Sequence, residues 1–384
     1  MKILGREWTR AALEQRIGAL SQLGGITRFE YSEGKSRGVV ALRVRTAAGL
    51  EFSVLPDRGL DIFEASYEGR SLCWHSPAGL SHPAYYDPRG TEWLKTFSGG
   101  LLTTCGLTTA GSPSSDQSEE LGLHGAASCI PAEHVEWSEK WQGDELTLSI
   151  SGKLRESSVF GPNLVNHRQI QTTLDGSSID ISDRIVNEGH ASSPVMVVYH
   201  CNFGFPLLNE HSRIYSRANR IEARNEHAQR YLDTWSQLEP PDANMEERCY
   251  YHRMGALPEN NARVVLVSDE ASHNLAVELS FNAENLPWLV EWKSILPRHY
   301  VLGLEPANCK VDGRRKQRES GMLRFLEPGQ SVEHHLRIQV LVGRDEIGPA
   351  LERCNTAERV EEIGRSEPRR SPKTGHRWSP ENRP

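Results

Sequence analysis

Val195-Met-Val-Val-Tyr-His-Cys-Asn-Phe-Gly-Phe-Pro-Leu-Leu208 is the stretch whose reading decides the fold. Five consecutive apolar residues at its start imply a strand covered on both faces. The period of two then places Val198, His200 and Asn202 on one side, and Tyr199, Cys201 and Phe203 on the other. Two hydrogen-bonding side chains share one wall. A partly buried histidine is as often a satisfied core residue as a working one, so this strand alone leaves both readings open. A second strand, Tyr300-Val-Leu-Gly-Leu-Glu-Pro306, repeats the design: Val301, Gly303 and Glu305 face one way, and a carboxylate stands beyond a glycine-sized gap. A gap beside an acid invites a ligand.

The surrounding sequence extends the β pattern. The chain has 384 residues with 32 glycines and 21 prolines, few long helical patterns and many short alternating segments, which favours one large all-β unit over two average domains. Val40, Leu42 and Val44 alternate with polar or small neighbours, Leu50 to Leu55 follows, and Ile179, Ile181 and Ile185 mark another strand. Further strands are expected at Ala262 to Val267, Leu275 to Phe281 and Val332 to Val342. A short helix over residues 6–22, with Leu13, Ile17 and Leu20 on one face, reads as a lid on a sheet edge. The layout is thus an N-terminal helix and lead-in (1–30), a β-sandwich domain (31–346) and a tail (347–384). The tail's final stretch, rich in Arg, Pro and Ser, is expected to be disordered. Residues 216–260 lack a regular period and read as a long excursion, a lid or a subunit contact in a homo-oligomer.

Lys plus Arg number 44 against 51 Asp plus Glu, for a net charge of −7, so nothing draws the chain toward nucleic acid or an anionic membrane. Seven cysteines without a C-x-x-C pair fit a reducing cytoplasm. The start of the chain carries no secretory signal, and no apolar run of about 18 residues occurs, so a soluble, unexported protein is expected.

Three further places could carry chemistry. Asp57-Arg58-Gly59 is either a hairpin corner with a local ion pair or a sugar clamp, since a carboxylate accepting from hydroxyls beside a guanidinium donating to them suits a polyol. His124, beside Gly125, sits where the backbone must bend sharply or approach something closely. In Pro287-Trp-Leu-Val-Glu-Trp292 the alternation puts Trp288, Val290 and Trp292 on one face, which is core or, at Trp292, a platform for a sugar. No phosphate loop and no G-x-G-x-x-G fingerprint is present, so nucleotide chemistry lacks its usual cradle.

Leu123-His-Gly125, Tyr199-His-x-Asn-Phe203 and Gly303-Leu-Glu-Pro306 resemble the ordered motifs of the aldose 1-epimerases, the galactose mutarotase-like group. The likeness is closest to a branch known only as a domain of unknown function. That branch also shows Pro56-Asp-Arg-Gly59, Gly99-Gly-Leu-Leu-Thr-Thr-Cys-Gly106 and Leu286-Pro-x-Leu-x-x-Trp-Lys293. The resemblance spans most of residues 35–345. It implies a large antiparallel β-sandwich of the supersandwich type, binding a small carbohydrate across one concave face. It makes His200 the general acid, Glu305 the general base and His124 a second histidine near the reacting centre. Asp57, Arg58, Asn202 and Trp292 complete the expected substrate contacts. Such chemistry requires no metal and no cofactor. The family's early Asn-Arg sugar-binding motif has no counterpart here.

Three rival readings accompany the mutarotase. Two histidines and a glutamate could ligate Zn²⁺ or Mn²⁺ in a metal-dependent isomerase, although no H-x-H or H-E-x-x-H spacing occurs. The same acid and base could epimerise at carbon. A carbohydrate-binding module would use the site without turnover.

Overall fold

A computed structural model describes residues 1–3, 5–255, 261–269 and 271–355. The N-terminus makes a ribbon of β1 (Lys2–Ile3) and β2 (Arg6–Glu7) and then helix α1 (Arg10–Glu14). Five strands in sequence order form the first sheet: β3 (Gly25–Glu30), β4 (Val40–Arg45), β5 (Leu50–Leu55), β6 (Asp61–Tyr67) and β7 (Arg70–Ser71). After β8 (Thr103–Leu107) comes a small ribbon of β9 (Ser114–Asp116) and β10 (Glu119–Leu121). Then follow the long strands β11 (Glu133–Gln142), β12 (Glu145–Ser157), β13 (Asn163–Thr173), β14 (Ser178–Asn187) and β15 (Ser193–Phe203). The rest of the chain adds β16 (Arg213–Ser216), β17 (Ala218–Ala223), helix α2 (Glu226–Gln229), β18 (Arg248–Met254), β19 (Asn261–Val267) and β20 (Leu275–Asn282). It closes with β21 (Trp288–Leu296), β22 (His299–Ala307), helix α3 (Arg314–Glu319), β23 (Arg324–Leu326), β24 (Ser331–Val342) and helix α4 (Arg344–Asn355).

Two large antiparallel sheets pack face to face. One has the order β11-β12-β13-β14-β24-β20-β19-β16, and the other runs β17-β18-β21-β22-β15-β23, with β8 also pairing β15. Alternation fixes which residues meet between them: Leu146, Leu148, Ile150, Ile338 and Val340 from the first face Val197, Tyr199, Cys201, Leu302 and Leu304 from the second in one continuous core. The fold is the all-β supersandwich expected.

One charged group sits inside this core. The Arg168 side chain on β13 is fully buried; its Nε and Nη2 donate to Asp183 at 2.9 and 2.7 Å. Its Nη1 reaches Gly59 O (3.0 Å), Thr104 Oγ1 (2.9 Å) and Asp61 Oδ1 (3.2 Å). Tyr199 on β15 donates to the same Asp183 at 2.7 Å. Burial alone would raise the Asp183 carboxyl, but Arg168 and Tyr199 hold it below the ordinary value. Burial prevails at Asp61, which rises to about 6 despite Arg168.

Three expectations need correction. The N-terminal helix is confined to Arg10–Glu14, capped by Thr9 and held at the β11–β12 hairpin, where Arg10 N donates to Asp144 at 2.8 Å and its guanidinium lies over Trp141. Residues 347–355, assigned to the tail, continue helix α4, because Ile347, Ala350, Leu351 and Cys354 pack on the outer face of the eight-stranded sheet against Val265, Val267, Ala276 and Leu341. The rest of the tail lies outside the described residues. The 216–260 excursion carries two strands of the seven-stranded sheet, β17 and β18, and the long connection between them is pinned rather than free. Lys293 Nζ donates to Trp235 O (2.5 Å) and Gln237 O (2.7 Å), and Arg248 grips Glu239 at 2.6 and 2.7 Å.

Replacing Arg168 with Met should leave Asp183 and Asp61 buried without their counter-charge and cost about 3–5 kcal/mol of stability. Urea unfolding measures this; a loss below about 1 kcal/mol would mean the knot contributes little to holding the sheets together.

Candidate active site

The even-numbered residues of β15 point away from the core. Met196 and Val198 join a second apolar cluster with Tyr251, Trp288 and Val290, on the opposite face of the seven-stranded sheet. The register Cys201↔Leu304 and Val198↔Ala307 sets His200 across from Glu305, and Glu305 pairs in turn with Val290, and Val290 with Tyr251. One row across four strands therefore reads His200, Glu305, Val290, Tyr251. The next row reads Asn202, Gly303, Trp292, Cys249.

Gly303 makes the room in which the acid and the histidine meet. A Cβ there would stand 2.5 Å from Glu305 Oε1 and 3.3 Å from both His200 Cε1 and Trp292 Cβ. With glycine in place, His200 Nε2 lies 3.2 Å from Glu305 Oε1. The two atoms are close but not aligned as a hydrogen bond, so Glu305 Oε1 has no partner. His200 Nδ1 and His124 Nδ1 are likewise buried without partners. Three such atoms, on Glu305, His200 and His124, thus lie close together beside the gap at Gly303.

Burial governs the charge of this site. It lowers His200 to about 3, with His124 adding to the effect, and lowers His124 to about 4, with Arg224 second. Burial pushes Glu305 well above the carboxylate range, against the opposing pull of Arg224. Burial thus works against the charged form of both groups.

His124 reaches the site from a loop. Its φ of 60° is left-handed and unusual for a histidine. It is held there by its own N–H donating to Gly111 O (2.9 Å), by Gly106 N donating to its carbonyl (3.0 Å) and by Tyr86 donating to Gly125 O (3.0 Å). Glu156 braces the end of β8, beside Gly106, by accepting from Leu107 N at 2.6 Å. Aromatic rings wall the cavity: Trp93 stacks on Phe97 (4.4 Å) and lies 4.8 Å from His124, and His200 has Phe97 at 5.4 Å, Trp292 at 5.5 Å and His124 at 5.8 Å. The Trp292 indole donates to Glu247 at 2.8 Å, which fixes its plane.

Residues 36–340 match the family described as a domain of unknown function, DUF4432. The chain belongs to this family. Its fold is shared with a Klebsiella pneumoniae protein provisionally named an aldose 1-epimerase: TM-score 0.81, 23% identity, 86% of each chain covered. It is shared more loosely with galactose 1-epimerase from Lactobacillus acidophilus (TM-score 0.53, 12% identity, 83% of this chain and 99% of that one). A galactose mutarotase-like protein from Clostridium acetobutylicum gives 0.52 at 15% identity, covering 83% and 99%. At these identities the likeness establishes the fold. No curated protein matches the chain.

In this DUF4432 chain His200, Glu305, His124 and Trp292 come together as the sequence suggested. Asn202 is fully buried; its amide nitrogen donates to Gly100 O (3.0 Å) and His200 O (2.9 Å) and so braces the strand, while its Oδ1 has no partner. Asp57 and Arg58 do not form the expected sugar clamp. Asp57 accepts from Val40 N at 2.6 Å, and Arg58, buried, spends its guanidinium on Ser81 O and Thr96 O, both at 3.0 Å. A guanidinium saturated by backbone carbonyls has little left to offer a hydroxyl. The sequence reading did not single out Arg224, whose charge bears on both His124 and Glu305, or Glu247, which holds the Trp292 indole. Among the described residues no three His, Cys, Asp or Glu side chains are grouped as a metal site requires, and no helix is long and apolar enough to cross a membrane.

Because burial depresses both histidines below the unfolded value near 6.5, the unfolded chain takes up protons first as pH falls. His200 and His124 should therefore subtract stability between about pH 6.5 and pH 4, and ¹⁵N NMR at pH 6 should show both rings neutral. A His200 ring titrating near 6.5 would contradict its burial.

Proposed function

We propose that the protein is an aldose 1-epimerase acting on a small free sugar through His200 and Glu305. The observation that carries this reading is the 3.2 Å approach of His200 Nε2 and Glu305 Oε1 on adjacent strands, in a ring-walled cavity with unsatisfied polar atoms. Anomer exchange needs a proton placed on the ring oxygen and another removed from the C1 hydroxyl. The C1–ring oxygen bond then breaks, the open-chain aldehyde turns about C1–C2, and reversal closes the other anomer.

The pair carries one movable proton, and that is what the reaction uses. Burial favours the uncharged arrangement, with the proton on Glu305. A sugar hydroxyl donating to Glu305 and a ring oxygen accepting from His200 favour the ionic arrangement, in which Glu305 is the base and His200 the acid. The two arrangements have the same total protonation, so no proton need enter from solvent. Each transfer contributes about 10²–10⁴-fold to the rate. His124 contacts the sugar near C1, and Trp292 offers an apolar face to the sugar's C–H groups.

Glu305→Gln keeps the shape and removes the base, so it should retain sugar binding while lowering kcat at least about a hundredfold. Saturation-transfer NMR over a panel of aldoses and ketoses reads anomer exchange, and solvent deuterium in a C–H bond would reveal epimerisation at carbon instead. Near-normal kcat in Glu305→Gln would remove the glutamate from the role of base.

A further inference from the structure

A line of aromatic rings runs outward from the His200–Glu305 pair. Trp292 lies 5.5 Å from His200, Trp74 lies 6.4 Å from Trp292, and His299 lies 6.4 Å from Trp74. Exposure rises along the line: His200 and Glu305 are buried, Trp292 and Trp74 are half-buried, and His299 is exposed. The line thus leads from the reacting centre to the surface. Alternation along β22 puts His299 on the face of Glu305, Gly303 and Val301. Between residues 299 and 305 the strand covers about 20 Å at the usual rise, more than one sugar ring spans.

The backbone places Trp74 in this line. Its N–H donates to Asn202 O at 3.0 Å and its carbonyl accepts from Gly100 N at 2.8 Å, beside a bridge between Cys73 and Phe203. Cys73 turns into the core between the sheets, so Trp74 turns to the site face, where it meets Trp292 and, at 5.9 Å, Phe97. Gly204, the next residue after Asn202 on His200's side of the chain, leaves the space: a Cβ there would stand 2.7 Å from Trp74 Cα and 2.9 Å from Trp74 Cβ. Gly99 clears the other side, where a Cβ would meet Trp74 O at 2.5 Å and ring atom Cε3 at 2.9 Å. Two glycines therefore seat this one tryptophan, as Gly303 makes room for the acid and the histidine.

A tryptophan so seated, with part of its ring in water, offers a rigid apolar surface beside the site. Sugar rings carry faces of C–H groups, and covering such a face removes apolar surface from water. Trp292 is in place for the sugar whose C1 meets His200 and Glu305, whereas Trp74 and His299 stand farther out along the line.

We propose that Trp74 and His299 form a second sugar subsite, and that the substrate is the reducing end of a saccharide of two or more units, its first ring at Trp292 and its second at Trp74. This rests on the sugar reading of the His200–Glu305 site.

The test uses the full-length protein with glucose, maltose, cellobiose and lactose, which share a reducing glucose, and with galactose and galactobiose. Binding is read by calorimetry and anomer exchange by saturation-transfer NMR. At least one disaccharide should bind about tenfold more tightly than the monosaccharide at its reducing end, and the gain should appear in KM rather than kcat. Trp74→Ala should cut that ratio to about threefold or less, and Trp74→Phe, which keeps a ring, should retain most of it. His299→Ala alters an exposed residue, so the fold should tolerate it, and it should lower the ratio about threefold. The ratio is taken within each variant, so a general loss of activity or stability does not move it; if Trp74→Ala fails to fold, His299→Ala decides. Disaccharides bound no more tightly than monosaccharides, or a ratio unchanged in every folded variant, would overturn the subsite, while exchange of monosaccharides would leave the acid–base reading intact. A disaccharide preference lost in these variants, without anomer exchange, would support the subsite and remove the acid–base reading. No binding by any sugar would overturn both.

Discussion

The buried Arg168 guanidinium is the constraint on which the molecule depends. It belongs to the eight-stranded sheet, yet its bonds run to Asp183 within that sheet, to Gly59 and Asp61 of the five-stranded sheet and its lead-in, and to Thr104 on β8. Tyr199 brings β15 to the same knot. Apolar packing tolerates sliding, whereas a fork of directed bonds does so poorly, so the knot fixes how the sheets sit on one another. The consequence for function is one of parity. With Tyr199 committed inward, His200 can only point outward, at Glu305.

Much of this was legible because the two decisive strands follow simple rules. The apolar run from Val195 and the Gly303 gap before Glu305 each state a strand and a face within a few residues, and pairing of neighbouring strands does the rest. What the sequence concealed involves partners far away along the chain. In β18, His252 turns its ring into the interior toward Glu291 at 3.0 Å, and Lys293 lies 3.3 Å from the same carboxylate. All three are fully buried, so neither strand shows the clean alternation of a half-exposed sheet. Helix α4 was hidden because its apolar residues cover a patch supplied by β19, β20 and β24. Asp57-Arg58 misled because a guanidinium bound to backbone carbonyls and one waiting for a sugar are spelled alike.

The cavity shows the reverse economy from the knot. Around Arg168 each guanidinium nitrogen finds an acceptor within the fold, and Asp183 is held below its ordinary value despite burial. Around His200 and Glu305 the partners are missing, and burial suppresses charge instead. Identical residue types thus behave differently according to whether the fold has completed their hydrogen bonds. An incomplete set is costly to maintain, and such sets are kept where a ligand completes them.

β15 and β22 each have neighbours on both sides, whereas His124 and Arg224 are carried by connections between strands. On the proposed reading the acid–base pair is thereby lodged in the framework, while His124 and Arg224 stand on its trimmings. A lineage inheriting this arrangement can rewrite the loops without re-inventing the pair or risking the fold. Sequence divergence among such descendants would collect in the connections and spare the two inner strands. The family resemblance would then outlast any shared substrate.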